Sequence, residues 1–225
     1  MSIRGARGAY TAERAAALSG VPLSTLHYWA RNEILVPSIS ATKVKFWSYT
    51  DLMGLRTIYW LRQRKAPAEG REVPPTTMRA VRRALRELAR LDLELWTDDG
   101  GPSVSVDPGG NVFIVVGDTP AATAEGAQLI DEDVFDLIKP FATPTTRAPD
   151  LTKPRPNLRI VPGKLSGSPH IARTRIETVA IAALADRGFD SASIEKFYPS
   201  VRPPVALVEA VDLERQLNKN LKLAA

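Results

Sequence analysis

Tyr10-Thr11-Ala12-Glu13-Arg14-Ala15-Ala16-Ala17-Leu18-Ser19-Gly20-Val21-Pro22, followed directly by Leu23-Ser24-Thr25-Leu26-His27-Tyr28-Trp29-Ala30-Arg31, reads as two short helices joined by a tight turn. Thr11 is placed to cap the first helix, because its hydroxyl can accept from an orphan N–H of the first turn. Ala15, Ala16 and Leu18 give that helix a small apolar face. Ser19-Gly20 supplies the turn, and Pro22 opens the second helix, where its missing N–H costs nothing. Leu26 and Trp29 stand three apart and share an inward face. Ser24, Thr25, His27, Tyr28 and Arg31 are then left outward. The product is a helix-turn-helix whose second helix shows donors and a cation to the outside.

The next residues extend the pattern. Ile34-Leu35-Val36-Pro37 reads as a strand ending at a proline. Lys43-Val44-Lys45-Phe46-Trp47-Ser48-Tyr49 alternates basic with apolar, as a half-buried strand does. Together they predict a β-wing over a Ser/Ile/Ala/Thr loop. Thr50-Asp51 is then expected to cap a third helix carrying Leu52, Leu55, Ile58, Tyr59 and Leu61 at helical spacing.

Leu18-Ser19-Gly20-Val21, Thr25-Leu26-His27-Tyr28-Trp29, Leu35-Val36-Pro37 and Tyr49-Thr50-Asp51-Leu52, in this order, resemble the winged helix-turn-helix domain of the MerR family of transcription regulators. Most members of that family carry Arg where His27 stands and Gly where Glu33 stands. The turn after the second helix is therefore expected to fall to another residue, Asn32. The resemblance covers about a quarter of the chain. It implies that the second helix enters the major groove of duplex DNA. Ser24, Thr25 and His27 would face base edges, and Tyr28, Arg31, Lys43 and Lys45 would meet phosphates. The competing reading of each is an ordinary solvated face. Trp29 and Trp47 read as core.

Charge is distributed unevenly along the 225 residues. Residues 1–65 carry ten Lys/Arg against three Asp/Glu, and residues 92–138 carry eleven acids and no Lys or Arg. A basic head fits a polyanion partner, and an acidic middle would be repelled from one. With no cysteine, a disulfide framework and a thiolate metal site are both excluded. There is no secretory apolar run and no stretch of membrane-spanning length, so the expectation is a cytoplasmic protein without a membrane partner.

Beyond the head, Pro67, Gly70, Pro74 and Pro75 mark a break. Thr76-Thr77 can cap a helix to about Leu91, with Met78, Val81, Leu85 and Leu88 as an apolar stripe and arginines around it. The stripe fits either packing on the head or a dimer contact. Leu93–Gln128 reads as β: a strand at 93–96, then a hairpin of Ser103–Val106 and Asn111–Val116 about Asp107-Pro108-Gly109-Gly110, with a further strand near Leu129. Asp131-Glu132-Asp133 is read as the acidic start of a short helix over 134–138 rather than as a metal site. Ala142–Pro162, with five prolines, reads as an extended linker. Three short helices follow, the last opened by Pro203-Pro204, with Val205, Leu207, Val208, Val211 and Leu217 as candidate buried positions.

Gly167, Pro169, Thr174-Arg175-Ile176, Gly188, Ile194 and Phe197-Tyr198-Pro199 resemble a small bacterial domain family found in antitoxin genes, although Arg173 stands where that family usually has Gly. Head and tail together resemble VapB-type antitoxins of type II toxin–antitoxin pairs. That resemblance implies repression of the protein's own operator and neutralisation of a cognate VapC-type toxin, a PIN-domain ribonuclease. Arg155 or Arg159 would then be candidates to reach the toxin's carboxylates. A MerR-class transcription regulator answering a small-molecule or protein effector is the alternative reading, and a plain interaction scaffold a third.

The expected fold is thus mainly α with a small β portion. It comprises a winged helix-turn-helix head (1–65), a helix with an acidic β-hairpin region (66–141), a Pro-rich linker (142–157) and a C-terminal three-helix, homeodomain-like domain (158–225). No catalytic residue, cofactor or metal is expected: His27 and His170 are the only histidines, and no cluster or HExxH spacing exists. Gly163-Lys164-Leu165-Ser166 echoes the end of a P-loop without its first Gly. The default assembly is a homodimer on an inverted repeat.

Overall fold

The computed structural model describes residues 8–63, 75–90, 103–106, 112–116, 119–121, 134–136, 138–142 and 147–223. The fold is mainly helical, with seven helices and small antiparallel sheets among the described residues.

The two head helices form as their caps dictate. Helix α1 (Ala12–Ser19) starts at Thr11, whose hydroxyl accepts from the Arg14 N–H at 3.2 Å, and ends at Gly20 in the left-handed region, φ 77°. Helix α2 (Leu23–Arg31) follows Val21-Pro22 and buries Leu26, Trp29 and Ala30. Helix α3 (Tyr49–Leu61) buries Leu52, Leu55, Ile58 and Leu61. Its cap is not Thr50, which lies inside the helix, but Ser48. The Ser48 hydroxyl accepts from the Asp51 N–H at 3.1 Å, and the Asp51 carboxylate accepts from the Ser48 N–H at 2.7 Å. This reciprocal capping box satisfies two orphan donors at once, which a Thr50 start could not do.

The wing is shorter than the expected pair of strands. Ser40 and Phe46 form one isolated antiparallel bridge, and Trp47 forms another with Tyr10. Ile34–Pro37 is not a strand.

The chain divides into two compact units, residues 1–52 with 139–225, and residues 53–138, the division falling inside α3. This differs from the expected boundaries, which set the head apart from a C-terminal domain. The second unit holds α4 (Met78–Arg90), with the Thr77 hydroxyl accepting from the Ala80 N–H, and a four-stranded sheet. Its strands are β1 (Ser103–Val106), β2 (Val112–Val116), β3 (Thr119–Ala121) and β4 (Val134–Asp136), in the order β3-β2-β1-β4. The expected hairpin is β1–β2, with Val104 opposite Ile114. The expected helix at 134–138 is instead β4, paired antiparallel with β1. Val134-Phe135 suits a pleated surface, and a partner strand thirty residues upstream overrides the acidic start signal. The strands expected at 93–96 and near 129 lie outside the described residues.

The first unit continues with β5 (Phe141–Ala142) against β6 (Arg147–Ala148), then β7 (Leu158–Arg159) against β8 (His170–Ile171). Helices α5 (Thr178–Asp186), α6 (Ser191–Phe197) and α7 (Val205–Leu223) complete it. The proline segment is not a free linker where it is described. Ala148, Leu151, Thr152 and Leu158 are buried, and the Tyr49 hydroxyl donates to the Leu151 carbonyl at 3.1 Å. Of the expected α7 core, Leu207 and Leu217 are buried, but Val205 and Val208 are 50% and 43% exposed. The buried positions are Ala206, Leu207, Ala210, Leu213, Glu214, Leu217 and Asn220, a 3.5-residue stripe that starts one position later than apolar content alone indicates.

That stripe packs α7 on α1, α5 and α6. Arg14 of α1 donates through both terminal nitrogens to Glu214 at 2.6 and 2.8 Å, and the Thr178 hydroxyl of α5 donates to the same carboxylate. Asn220 reaches the Ala17 carbonyl of α1 and brackets Arg147, accepting from its N–H at 3.2 Å and donating to its carbonyl at 2.9 Å. Tyr10 is buried, and its hydroxyl donates to the Gly167 carbonyl at 2.9 Å. A Cβ at Gly167 would stand 2.1 Å from that hydroxyl, so glycine is required there by space as well as by its φ of 79°.

Arg14→Ala leaves Glu214 buried without its cation. The expected loss is about 2–3 kcal/mol, at or below the low end of the range for a broken buried pair because Arg14 is partly exposed. Urea denaturation checks it. Pairing Arg14→Met with Glu214→Gln, which keeps an acceptor for Thr178, is expected to recover part of the loss.

Candidate nucleic-acid interface

Two helices and a loop set the outward face of the head. Because α2 turns Leu26, Trp29 and Ala30 inward, Ser24, His27, Tyr28 and Arg31 are exposed and Thr25 is half-buried. Tyr28 is 52% exposed. On the wing, Lys43 is exposed, Val44 is 60% exposed and Lys45 is half-buried. All seven residues singled out in the sequence belong to the helix-turn-helix and its wing. The side chains of Ser24, Thr25, His27, Tyr28, Arg31, Lys43 and Lys45 make no ion pair or hydrogen bond among the described residues.

The turn after α2 departs from expectation. Asn32 lies at φ −95°, and it is Glu33 that takes the left-handed conformation, φ 52°. Asn32 instead closes the helix, its side-chain amide donating to the Tyr28 carbonyl at 2.8 Å. The backbone thus keeps the shape that Gly gives in the resembling family, although Glu pays a steric cost for it.

Around the wing, exposed Ser38 and buried Ser48 and Asp51 form a polar knot. The Asp51 carboxylate accepts from the Ser38 N–H at 2.9 Å, the Ser38 hydroxyl at 2.8 Å and the Ser48 N–H at 2.7 Å. Burial holds this carboxyl above its ordinary value, against the opposing pull of the bonds from Ser38 and Ser48. Reading the sequence missed Ser38 here; only the Ser-x-x-Asp spacing of Ser48 and Asp51 hinted at the knot.

The other named residues lie elsewhere in the first unit. Arg155 donates to the Pro154 carbonyl at 2.7 Å and to Gln216 of α7 at 2.5 Å. Arg159 donates to the carbonyls of Leu158 and Pro156. Both guanidinium groups are therefore bonded within the chain. His170 is buried, with Nδ1 3.1 Å from the Ser168 carbonyl, and burial pushes its imidazole below the ordinary value. Its partner is a backbone oxygen, not the Ser168 hydroxyl, so the two do not form a nucleophile–base pair. Among the described residues no three His, Asp or Glu side chains gather to hold a metal ion, and no helix is long and apolar enough to cross a membrane.

Residues 10–70 match the family model described as MerR HTH family regulatory protein. The head is a MerR-like DNA-binding domain. The match spans the helix-turn-helix, the wing and α3 and leaves the rest of the chain outside it. Searches of curated proteins and of solved structures found no match. A DNA-binding transcription regulator is the class that such a head suggests.

Glu33→Gly is expected to raise stability by about 0.5–1 kcal/mol, since the turn already needs a positive φ. Thermal denaturation measures the gain, and operator affinity is expected to stay unchanged.

Proposed function

We propose that the protein binds its own operator as a homodimer and represses it, and that it is the antitoxin of a type II pair that neutralises a VapC-type ribonuclease. The observation that carries the DNA half is the exposed, unpaired set Ser24, His27, Tyr28, Arg31 and Lys43 on a MerR-like head. The recognition helix lies in the major groove, with Ser24, Thr25 and His27 toward base edges. Tyr28, Arg31, Lys43 and Lys45 bond or neutralise phosphates.

The toxin half rests on the C-terminal resemblance. Arg173, where the antitoxin-gene family usually has Gly, sits at φ 62°, and Gly167 and Gly188 also have positive φ. The loop therefore keeps a glycine-type geometry at the position that departs from the family. Arg155, in the proline segment, and Arg159, at the start of this module, are the arginines that would meet a toxin's carboxylates.

A MerR-class regulator with a small-molecule or protein effector is the second reading. The packing of α1 against α7 favours it, because a ligand held by the C-terminal helices would act on an element fixed to the DNA-binding head.

Co-expression with the product of an adjacent toxin-like gene, followed by sizing and an RNase assay, separates the two. The antitoxin reading expects a stable complex with the ribonuclease silenced. A free protein beside an active ribonuclease would leave only the regulator. For the DNA half, Arg31→Ala is expected to weaken binding similarly across sequences. It should also flatten the slope of log K against log salt by about 0.9. An unchanged slope would remove Arg31 from the contact set.

A further inference from the structure

We infer that Ser38 and Asp51 are positioning residues for the wing, holding Lys43 and Lys45 in place from beneath. The inference rests on the reading that those lysines meet a duplex.

The wing has almost no ladder of its own. Ser40 and Phe46 exchange two backbone bonds, 3.2 and 2.9 Å, and they form the one bridge within the loop. A single rung does not hold a hairpin in water, since even a full isolated two-stranded hairpin is marginal. Within the loop the Ser40 hydroxyl adds a bond to the Val44 carbonyl at 2.8 Å and lies 3.1 Å from the Thr42 hydroxyl. These bonds shape the tip, but they do not fix it to the domain.

The stem is fixed from outside the loop. Ser38 enters the wing and Ser48 leaves it, and one oxygen of Asp51 accepts from both: the Ser38 N–H and hydroxyl, and the Ser48 N–H. The two serine hydroxyls are also hydrogen bonded to each other at 2.8 Å. A side chain from the first turn of α3 thus closes the base of the wing as a ladder of further rungs would. The carboxylate is buried, where charge-assisted bonds are strong and an unmade bond is costly. Trp47, the last wing residue before Ser48, is bonded through its backbone to Tyr10 in both directions at 2.8 and 2.9 Å, so the exit strand is anchored twice. Entry is held by the Asp51 tether, the Ser38–Ser48 hydroxyl bond and the burial of Pro37. Loss of the tether therefore frees the entry side, and with it the direction in which Lys43 and Lys45 project.

The test uses the full chain with two variants, Ser38→Ala and Asp51→Asn, and two readouts. Ser38→Ala leaves the Ser48–Asp51 cap of α3 intact, so it folds even where Asp51→Asn weakens the helix. The first readout is hydrogen exchange at the Ser40 and Phe46 amides. Both variants are expected to lose protection there, with the α1 and α2 amides unchanged. The second is operator binding over a salt series. Asp51→Asn is expected to flatten the slope of log K against log salt by up to about 1.8, the share of two phosphate contacts. In a Lys43→Ala, Lys45→Ala background it is expected to add nothing further. Wing amides as protected as in the wild type would overturn the tether itself. Lost protection with an unchanged slope would overturn its role in placing the lysines. Failure of the wild-type protein to bind its operator would instead strike the DNA reading, and the exchange readout would still decide whether the tether holds the wing.

Discussion

A guanidinium from near the start of the chain and a carboxylate near its end form the pair on which the first unit depends. Arg14 and Glu214 are 200 residues apart, and their two parallel bonds lie mostly out of water. Removing such a carboxylate from solvent costs several kcal/mol, and only good geometry with further donors offsets it. Both are present: the guanidinium meets the carboxylate fork to fork, and Thr178 adds a third donor. The pair thus ties α1 to α7, and Thr178 ties α5 to the same carboxylate.

That docking explains why a proline-rich stretch is not a spacer here. Residues 147–157 pass between α7 and the head, so their backbone needs partners. Gln216 and Asn220 supply them to Arg147, and Glu209 accepts from both the backbone and side-chain amides of Asn157 at 2.8 and 2.9 Å. Pro149 and Pro154 are buried and have no N–H to satisfy. Prolines suit a buried, irregular segment for the same reason that they suit an exposed extended one, and composition alone does not separate the two cases.

Legibility in the sequence followed the range of the interaction. Thr11, Gly20, Pro22 and the Leu26/Trp29 pair each act over four residues or fewer, and α1, the turn and α2 lie where those residues put them. Where the partner is distant, local signals misled. Val134–Asp136 has the acidic preface of a helix but pairs with Ser103–Ser105. Glu214 is not among the apolar positions expected to be buried in the last helix, yet it lies inside, paired with Arg14 from 200 residues away. Glu33 carries a side chain that disfavours a positive φ, yet it is the residue that takes one in the turn after α2. On the interface, exposure of the α2 side chains followed directly from the helical period. The Ser38–Asp51 tether did not, because thirteen residues and a loop separate its ends.

Cations in the first unit fall into two groups, and the division bears on what each can do. Arg14, Arg155 and Arg159 are engaged by Glu214, Gln216 or backbone carbonyls. Arg31, Lys43 and Lys45 have no such engagement among the described residues. A hydrated cation that meets a phosphate gives up no internal bond and releases a counterion, so nearly the whole electrostatic gain appears as affinity. A cation already bonded must first break those contacts, at about 1.5–3 kcal/mol for each hydrogen bond to a charged group. Arg155 turning toward a partner's carboxylates would surrender its bonds to Gln216 and Pro154, so such a contact has to be bidentate and dry to be favourable. The recognition helix and wing face no comparable penalty, which is why the polyanion reading rests on them and not on the arginine-bearing segment behind.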